Sequence, residues 1–293
     1  MLSYNETPVQ QIHEPFLDKA GVRLLIKRED LNHPHVSGNK WWKLLYNLEA
    51  CKREGKDTLL TFGGAYSNHI YATAAAAQAC NLESIGLIRG EETLPLNPTL
   101  QFANACGMKL RYVTREDYRR KKEPLMLQKL VQPFGNCYVI PEGGSNQLAV
   151  QGVMEFSQHL RPLDFQYLCT PVGTGGTLAG LIAGFNGDRT ILGFSVLKGG
   201  DFLKEEVKTL LPTTITYSNW RLETAYHFGG YAKTTKELLG FLEVFHQTHG
   251  FRLDPIYTGK MMWGIFDLIK QGTFPRGTTI LAIHTGGPQF PGT

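Results

Sequence analysis

The residues with chemistry to offer in this chain sit in a few short stretches, most of them rich in glycine. Gly173-Thr174-Gly175-Gly176-Thr177 stands between an apolar run and a helical pattern of small residues. Glycines let backbone N–H groups turn inward, and a helix N-terminus adds positive potential. The stretch therefore reads as a phosphate cradle rather than a bare strand-to-helix turn. No Gly-Lys-Ser/Thr follows as in a P-loop, and Leu178 occupies the place of the third glycine of a dinucleotide fingerprint. Ser37-Gly38-Asn39-Lys40 leads into Trp41-Trp42-Lys43. A lysine at a helix start lies near N–H groups whose potential lowers its pKa, and a neutral lysine can form a Schiff base with a carbonyl. Taken alone, such a lysine is ordinarily a solvated surface residue. Lys260, ending Asp254-Pro255-Ile256-Tyr257-Thr258-Gly259-Lys260, is a second helix-start lysine and competes for the role. Gly64-Ala65-Tyr66-Ser67-Asn68-His69 enters an alanine-rich helix; Ser67 and Asn68 offer a hydroxyl and an amide to a ligand, or an ordinary cap. Tyr257 presents a hydroxyl from a Pro/Gly-shaped turn.

These stretches need a frame. Apolar runs rich in Val, Ile, Leu, Phe and Tyr predict strands at 22–26, 58–62, 85–88, 110–113, 137–140, 167–172, 191–196 and 279–283. Helical patterns fall at 43–54, 69–80, 98–105, 125–132, 148–159, 177–184, 235–249 and 260–270. Such alternation predicts α/β layers on mostly parallel sheets. Ligands of these sheets bind beyond the carboxyl ends of strands. The stretches 63–69, 173–177 and 284–287 all follow predicted strands, so they are expected to share one pocket.

Length fits about two domains. Apolar residues make up 42% and charged residues 19%, which excludes a disordered chain. A net charge of +4 is too weak to argue for nucleic acid. The one dense basic cluster, Arg119-Arg120-Lys121-Lys122, lies among acidic residues and reads as a solvated surface segment. The five cysteines are widely spaced with no C-x-x-C pair, which predicts reduced thiols, a cytoplasmic setting and no metal site. No run of about 18 apolar residues occurs, so no membrane partner is expected. Residues 1–6 lack a basic stretch followed by an apolar one, so no secretory signal is expected either.

Ser37–Lys40, Ser67-Asn68-His69, the 173–177 loop, Asp254–Lys260 and Ile283–Gly287 occur together in that order. In this the chain closely resembles the pyridoxal-phosphate (PLP) enzymes of the 1-aminocyclopropane-1-carboxylate (ACC) deaminase and D-cysteine desulfhydrase family, of the tryptophan-synthase-β-like fold (PLP fold type II). The resemblance runs from about residue 8 to residue 288. It implies two open, twisted parallel-sheet α/β domains with PLP in the cleft between them. The larger would join 1–45 with 146–293, and the smaller would span 46–145. Lys40 matches the lysine that holds PLP as a Schiff base and then removes a proton from the substrate's Cα. Lys43 matches a lysine near the cofactor phosphate, and Asn68 the residue that hydrogen-bonds its 3′-oxygen. Gly173, Thr174, Gly175, Gly176 and Thr177 match the phosphate loop. Ser67 matches a serine beside the substrate carboxylate or reacting carbon, Tyr257 an active-site tyrosine, and Tyr231 of Gly229-Gly230-Tyr231 a second one. The resemblance also implies a homodimer.

The pattern departs from the family in places. ACC deaminases place a glutamate after the tyrosine of the Tyr-x-Gly-Lys turn, against the pyridine nitrogen; here Thr258 stands there. His284-Thr285-Gly286-Gly287 looks like the desulfhydrase version, with Thr285 meeting that nitrogen. A hydroxyl leaves the ring a weaker electron sink than a carboxylate does. Ile70-Tyr71-Ala72 carries no arginine where desulfhydrase-like members have one, and Tyr66 replaces a common glutamine; both positions are expected near the substrate. The segment between 202 and 231 looks trimmed, with consequences for the pocket entrance or the subunit contact. The resulting expectation is a PLP-dependent lyase or deaminase acting on a small amino acid, D-cysteine desulfhydrase-like. ACC deaminase proper, a racemase or dehydratase of the same fold, or a protein that binds PLP or a phosphorylated metabolite without turnover are the alternatives. A nucleotide-binding oxidoreductase is disfavoured by the absent third glycine.

Overall fold

A computed structural model describes residues 2–212 and 217–287. The chain opens with β1 (Val9–Ile12), α1 (Pro15–Ala20), β2 (Arg23–Lys27) and α2 (Asn39–Arg53). It continues through β3 (Thr58–Gly63), α3 (Asn68–Ala79), β4 (Glu83–Arg89), α4 (Pro98–Ala105), β5 (Lys109–Val113), α5 (Arg115–Arg119), α6 (Pro124–Val131) and β6 (Tyr138–Ile140). Then come α7 (Gln147–Leu160), β7 (Tyr167–Val172), α8 (Gly176–Phe185), β8 (Thr190–Ser195), α9 (Leu203–Leu210) and β9 (Trp220–Glu223). The last elements are α10 (Lys236–His249), α11 (Thr258–Lys270) and β10 (Thr279–Ile283).

Two sheets result. One is six-stranded in the order β1-β2-β10-β7-β8-β9, the other four-stranded in the order β5-β4-β3-β6. All described pairs are parallel except β1 with β2. This is the α/β class expected. Parallel strands need both faces covered, so their sequences read as continuous apolar runs, and those runs were visible. The edge strands β1 and β9 were not predicted. Val9-Gln10-Gln11-Ile12 and Trp220-Arg221-Leu222-Glu223 carry polar or charged residues and pair on one side only. Helices α1, α5 and α9 also went unpredicted; each is short.

The largest core lies where α2, α3, α7 and α8 meet strands of both sheets, with Trp42, Ala76, Ile140, Val153, Phe156, Leu178 and Leu281 all buried. Small residues permit the close crossing. A Cβ on Gly152 of α7 would fall 2.0 Å from the Trp42 carbonyl oxygen of α2. The alanine run of α3 is buried throughout 74–77. A second core packs α1, α10 and α11 on the other face of the larger sheet. Carboxyl ends of β3, β4, β6, β7 and β10 thus deliver their loops to one region.

Candidate active site

That region is a cavity of about 690 Å³ lined from both sheets. Lys40, Lys43, Ser67, Asn68, the 173–177 loop, Tyr231, Tyr257 and Thr285 all line it. The shared pocket expected from the glycine-rich strand ends is therefore present.

Lys40 lies in the first turn of α2, and its position is over-determined. Glu29, fully buried, accepts hydrogen bonds from Trp42 Nε1 at 2.8 Å, Asn32 Nδ2 at 3.0 Å, Thr7 Oγ1 at 2.5 Å and the Tyr4 hydroxyl at 3.2 Å. A buried carboxylate is tolerable only when met in this way. Asn32 in turn clasps Gly38, donating to its carbonyl at 3.1 Å and accepting from its N–H at 2.8 Å. Gly38 has φ +67°, and a Cβ there would sit 1.9 Å from the Thr285 carbonyl oxygen. The Asn39 N–H donates to that same oxygen at 3.2 Å. The lysine turn is thereby fastened to the end of β10. Burial lowers the Lys40 pKa to about 8, against the opposing pull of Asp254. Burial, rather than the helix start expected from the sequence, is the larger cause of this shift. Lys43, one turn on, is buried and pushed well below its ordinary value by burial and then by Lys40. Its Nζ donates to Ser145 Oγ at 2.9 Å and to the Gly143 carbonyl.

The 173–177 loop behaves as a cup. α8 begins at Gly176 with no side-chain cap, so its first N–H groups lack intrahelical acceptors. Ser145 Oγ meets Thr174 Oγ1 at 2.6 Å, and Thr177 Oγ1 accepts from Asn39 Nδ2 at 2.8 Å. A Cβ on Gly176 would lie 2.6 Å from Ser145 Oγ and 3.1 Å from Lys43 Nζ. The absent side chain leaves room beside a lysine and exposed N–H groups, which suits a phosphate. Opposite, Ser67 caps α3 by accepting from the Ile70 N–H at 3.3 Å while lining the cavity. The Asn68 amide has no hydrogen-bond partner among the described residues.

Tyr257 and Tyr231 meet edge to face, ring centroids 6.2 Å apart. Burial raises both pKa values, and hydrogen bonding between the hydroxyls raises Tyr257 and lowers Tyr231. The Tyr231 hydroxyl also donates to the Tyr66 carbonyl at 3.3 Å.

Several expectations need correction. Lys260 is not a cavity residue: its buried Nζ donates to the carbonyls of His227 at 2.9 Å and Gly230 at 2.8 Å, pinning the loop that carries Tyr231. The basic segment 119–122 is more than a solvated face, because Arg119, Lys121 and Lys122 line the cavity's outer part. The Tyr66 side chain is exposed and outside the lining. Tyr71 stacks on Phe102 at 3.8 Å and meets His35 Nδ1 at 3.2 Å, likewise outside it. Neither tyrosine side chain reshapes the pocket. Thr258 is fully buried and exchanges hydrogen bonds with Asp254, so it does not face the cavity. Within the segment 202–231, Phe202, Leu203, Glu206 and Leu210 line the cavity.

Other residues of the site have roles that the sequence motifs alone do not disclose. The Glu142–Ser145 turn after β6 carries the same glycine-after-strand signal. His69 is buried between Thr61 and Thr73, its pKa driven well below normal by burial and by the two lysines. Asp254 accepts from the N–H groups of Ile256, Tyr257 and Thr258 at 2.8–3.1 Å and sets the Tyr257 turn.

A buried amine of lowered pKa beside a phosphate cup is suited to a ligand carrying both a carbonyl and a phosphate. Comparison with known proteins agrees. The chain is 32% identical to a putative 1-aminocyclopropane-1-carboxylate deaminase of Pyrococcus abyssi, over 96% of this chain and 89% of the relative. It is 32% identical to the mitochondrial bifunctional D-cysteine desulfhydrase/1-aminocyclopropane-1-carboxylate deaminase of Arabidopsis thaliana, over 98% and 77%. A crystal structure of an ACC deaminase homologue superimposes with a TM-score of 0.81 at 30% identity, covering 96% of this chain and 89% of that one. Residues 1–286 match the family described as pyridoxal-phosphate dependent enzyme. The cofactor that the cup and the buried amine call for is the one this family uses, and the chain belongs to the pyridoxal-phosphate dependent enzymes.

Proposed function

We propose that the chain is a D-cysteine desulfhydrase-like lyase, eliminating a leaving group from Cβ of a small amino acid. Thr285 carries this choice: it is the C-terminal strand-end hydroxyl in the cavity, while Thr258, where a carboxylate would favour ACC opening, is shut away beneath Asp254. Cavity-lining carboxylates are otherwise committed, Glu142 to Lys121 and Tyr118, and Glu206 to Lys122. Expelling a thiolate asks less of the electron sink than opening a cyclopropane.

Bound pyridoxal phosphate supplies an aldehyde for the amino group and a sink for the electron pair left at Cα. Lys43 and residues 173–177 would hold the phosphate, Asn68 would donate to the 3′-oxygen and Thr285 would face the ring nitrogen. Ser67 orients the substrate carboxylate at the start of α3. Lys40, whose pKa near 8 lets the amine accept a proton, takes the Cα hydrogen as general base. Tyr257 and Tyr231, mutually coupled, supply a proton to the departing group. Net, D-cysteine and water give pyruvate, ammonia and hydrogen sulfide.

The same reading takes 1–45 with 146–293 as the larger domain and 46–145 as the smaller. It is supported by the four-stranded sheet falling wholly within the latter. It also takes the protein as a cytoplasmic homodimer that uses small amino acids and no nucleic acid. Among the described residues no helix is long and apolar enough to cross a membrane. Sulfide release from D-cysteine, assayed beside 2-oxobutanoate from ACC, tests the reaction. Product from ACC alone makes it an ACC deaminase. Tight cofactor binding with no product from any amino acid makes it a binding protein.

A further inference from the structure

Arg89 is a cavity cation that the reaction above does not use. It ends β4, at the carboxyl edge of the smaller sheet, and lines the cavity from its exposed rim. A Cβ on Gly64 would lie 3.6 Å from its Nη2, so the guanidinium sits over the turn that leads to Ser67. Its Cζ stands 5.9 Å from the Tyr118 ring centroid. No carboxylate or hydrogen-bond acceptor meets this guanidinium among the described residues. The neighbouring rim cations are engaged: Lys121 pairs with Glu142 at 2.9 Å, Lys122 with Glu206 at 2.5 Å, and Arg119 donates to the Arg115 carbonyl at 3.3 Å. The field of Arg89 reaches the reacting end of the cavity. Burial raises the Tyr231 pKa, and Tyr257 and then Arg89 pull it back.

Two anionic groups already have receptors, the cofactor phosphate at the start of α8 and the substrate's α-carboxylate at the start of α3. Arg89 belongs to neither helix start: it lines the cavity from the end of β4, over Gly64. A planar guanidinium with its donors unspent is matched by a planar or tetrahedral oxyanion, which it grips bidentately. A cationic rim around a concave site also concentrates anions.

We propose that Arg89 forms a subsite for an anionic leaving group on the substrate side chain, so that the preferred substrates are amino acids whose Cβ carries a sulfonate, departing as sulfite, or a phosphate, departing as inorganic phosphate. This rests on the amino-acid lyase reading.

The test is isothermal titration of the PLP-loaded protein with cysteate and with alanine, both enantiomers, beside turnover of O-phosphoserine and β-chloroalanine. The parent is expected to bind one enantiomer of cysteate at least tenfold tighter than the matching alanine. In Arg89→Gln the cysteate-to-alanine affinity ratio falls about 10- to 100-fold, the loss of a charge-assisted bond. Arg89→Lys restores part of it. A parent without anion preference, or a ratio unchanged in Arg89→Gln, overturns the subsite. Anion preference without turnover of any amino acid defeats the lyase reading and leaves the subsite standing. Turnover of β-chloroalanine without anion preference does the reverse.

Discussion

Replacing Asp254 by asparagine separates the electrostatic account of Lys40 from a purely steric one. One carboxylate oxygen, Oδ1, accepts from Ile256 and Tyr257 N–H at 2.8 and 2.9 Å; the other, Oδ2, accepts from the N–H and hydroxyl of Thr258, both at 3.1 Å. Asparagine keeps the first pair and turns an NH₂ toward the second. A hydrogen bond to a charged group is worth about 1.5–3 kcal/mol, so the change costs roughly 3 kcal/mol of stability. That corresponds to a fall in Tm of roughly 5–10 °C for a chain of this size. The effect on Lys40 has the opposite sign. Asp254 is the group that holds the Lys40 ammonium against burial. With the carboxylate gone, the amine pKa falls below about 8. An amine with a pKa near 8 is about one-tenth neutral at pH 7, and only the neutral form captures an aldehyde. Stopped-flow capture of PLP by cofactor-free protein therefore rises with pH with a midpoint at about 8 in the parent and levels off roughly one unit above it. In Asp254→Asn the midpoint moves lower and capture at pH 7 quickens, up to a ceiling of about tenfold. A less stable variant that captures cofactor faster is the expected combination. An unmoved midpoint, or one displaced upward, refutes the electrostatic reasoning.

Gly176→Ala places a methyl 2.6 Å from Ser145 Oγ, inside the cup. Titration followed by visible absorbance should show PLP affinity at least about 100-fold weaker, the loss of one or two charge-assisted bonds. The helix itself is not weakened, since alanine is the better helix former. Unchanged affinity would move the phosphate elsewhere. Lys260→Met frees the His227 and Gly230 carbonyls and loosens Tyr231. The cofactor spectrum should persist while kcat falls by about tenfold, the scale of one lost hydrogen bond to a charged group. Disappearance of the cofactor band would contradict the assignment of Lys260 as a positioning residue.

What the sequence disclosed was local. Ser67, the 173–177 loop and Thr285 each stand just past an apolar run, where a parallel sheet delivers its loops, and Lys40 stands at a helix start. Glycine spacing marked them, and the cavity gathers them all. Glu29, Asp254 and Arg89 were illegible for the opposite reason. Each acts through space on a partner remote in sequence, as Glu29 on Trp42 and Asp254 on Lys40. Nothing in Arg28-Glu29-Asp30 distinguishes a buried anchor from a surface charge. Two other tyrosines show the same limit: Tyr66 and Tyr71 flank the Ser67-Asn68 motif in sequence, yet Tyr66 is exposed in the turn before α3, Tyr71 packs on Phe102 from within it, and neither lines the cavity. The corresponding gap in the fold lies at the sheet edges, where β1 and β9 pair on one side and need no apolar run.

Which amine carries the cofactor decides the role of every residue around it. Borohydride reduction of the PLP-loaded protein, followed by peptide mapping, reads this without any substrate. The label is expected on Lys40. A label on Lys43 or Lys260 would contradict the account, because it would place the reacting carbon away from Ser67, Tyr231 and Tyr257.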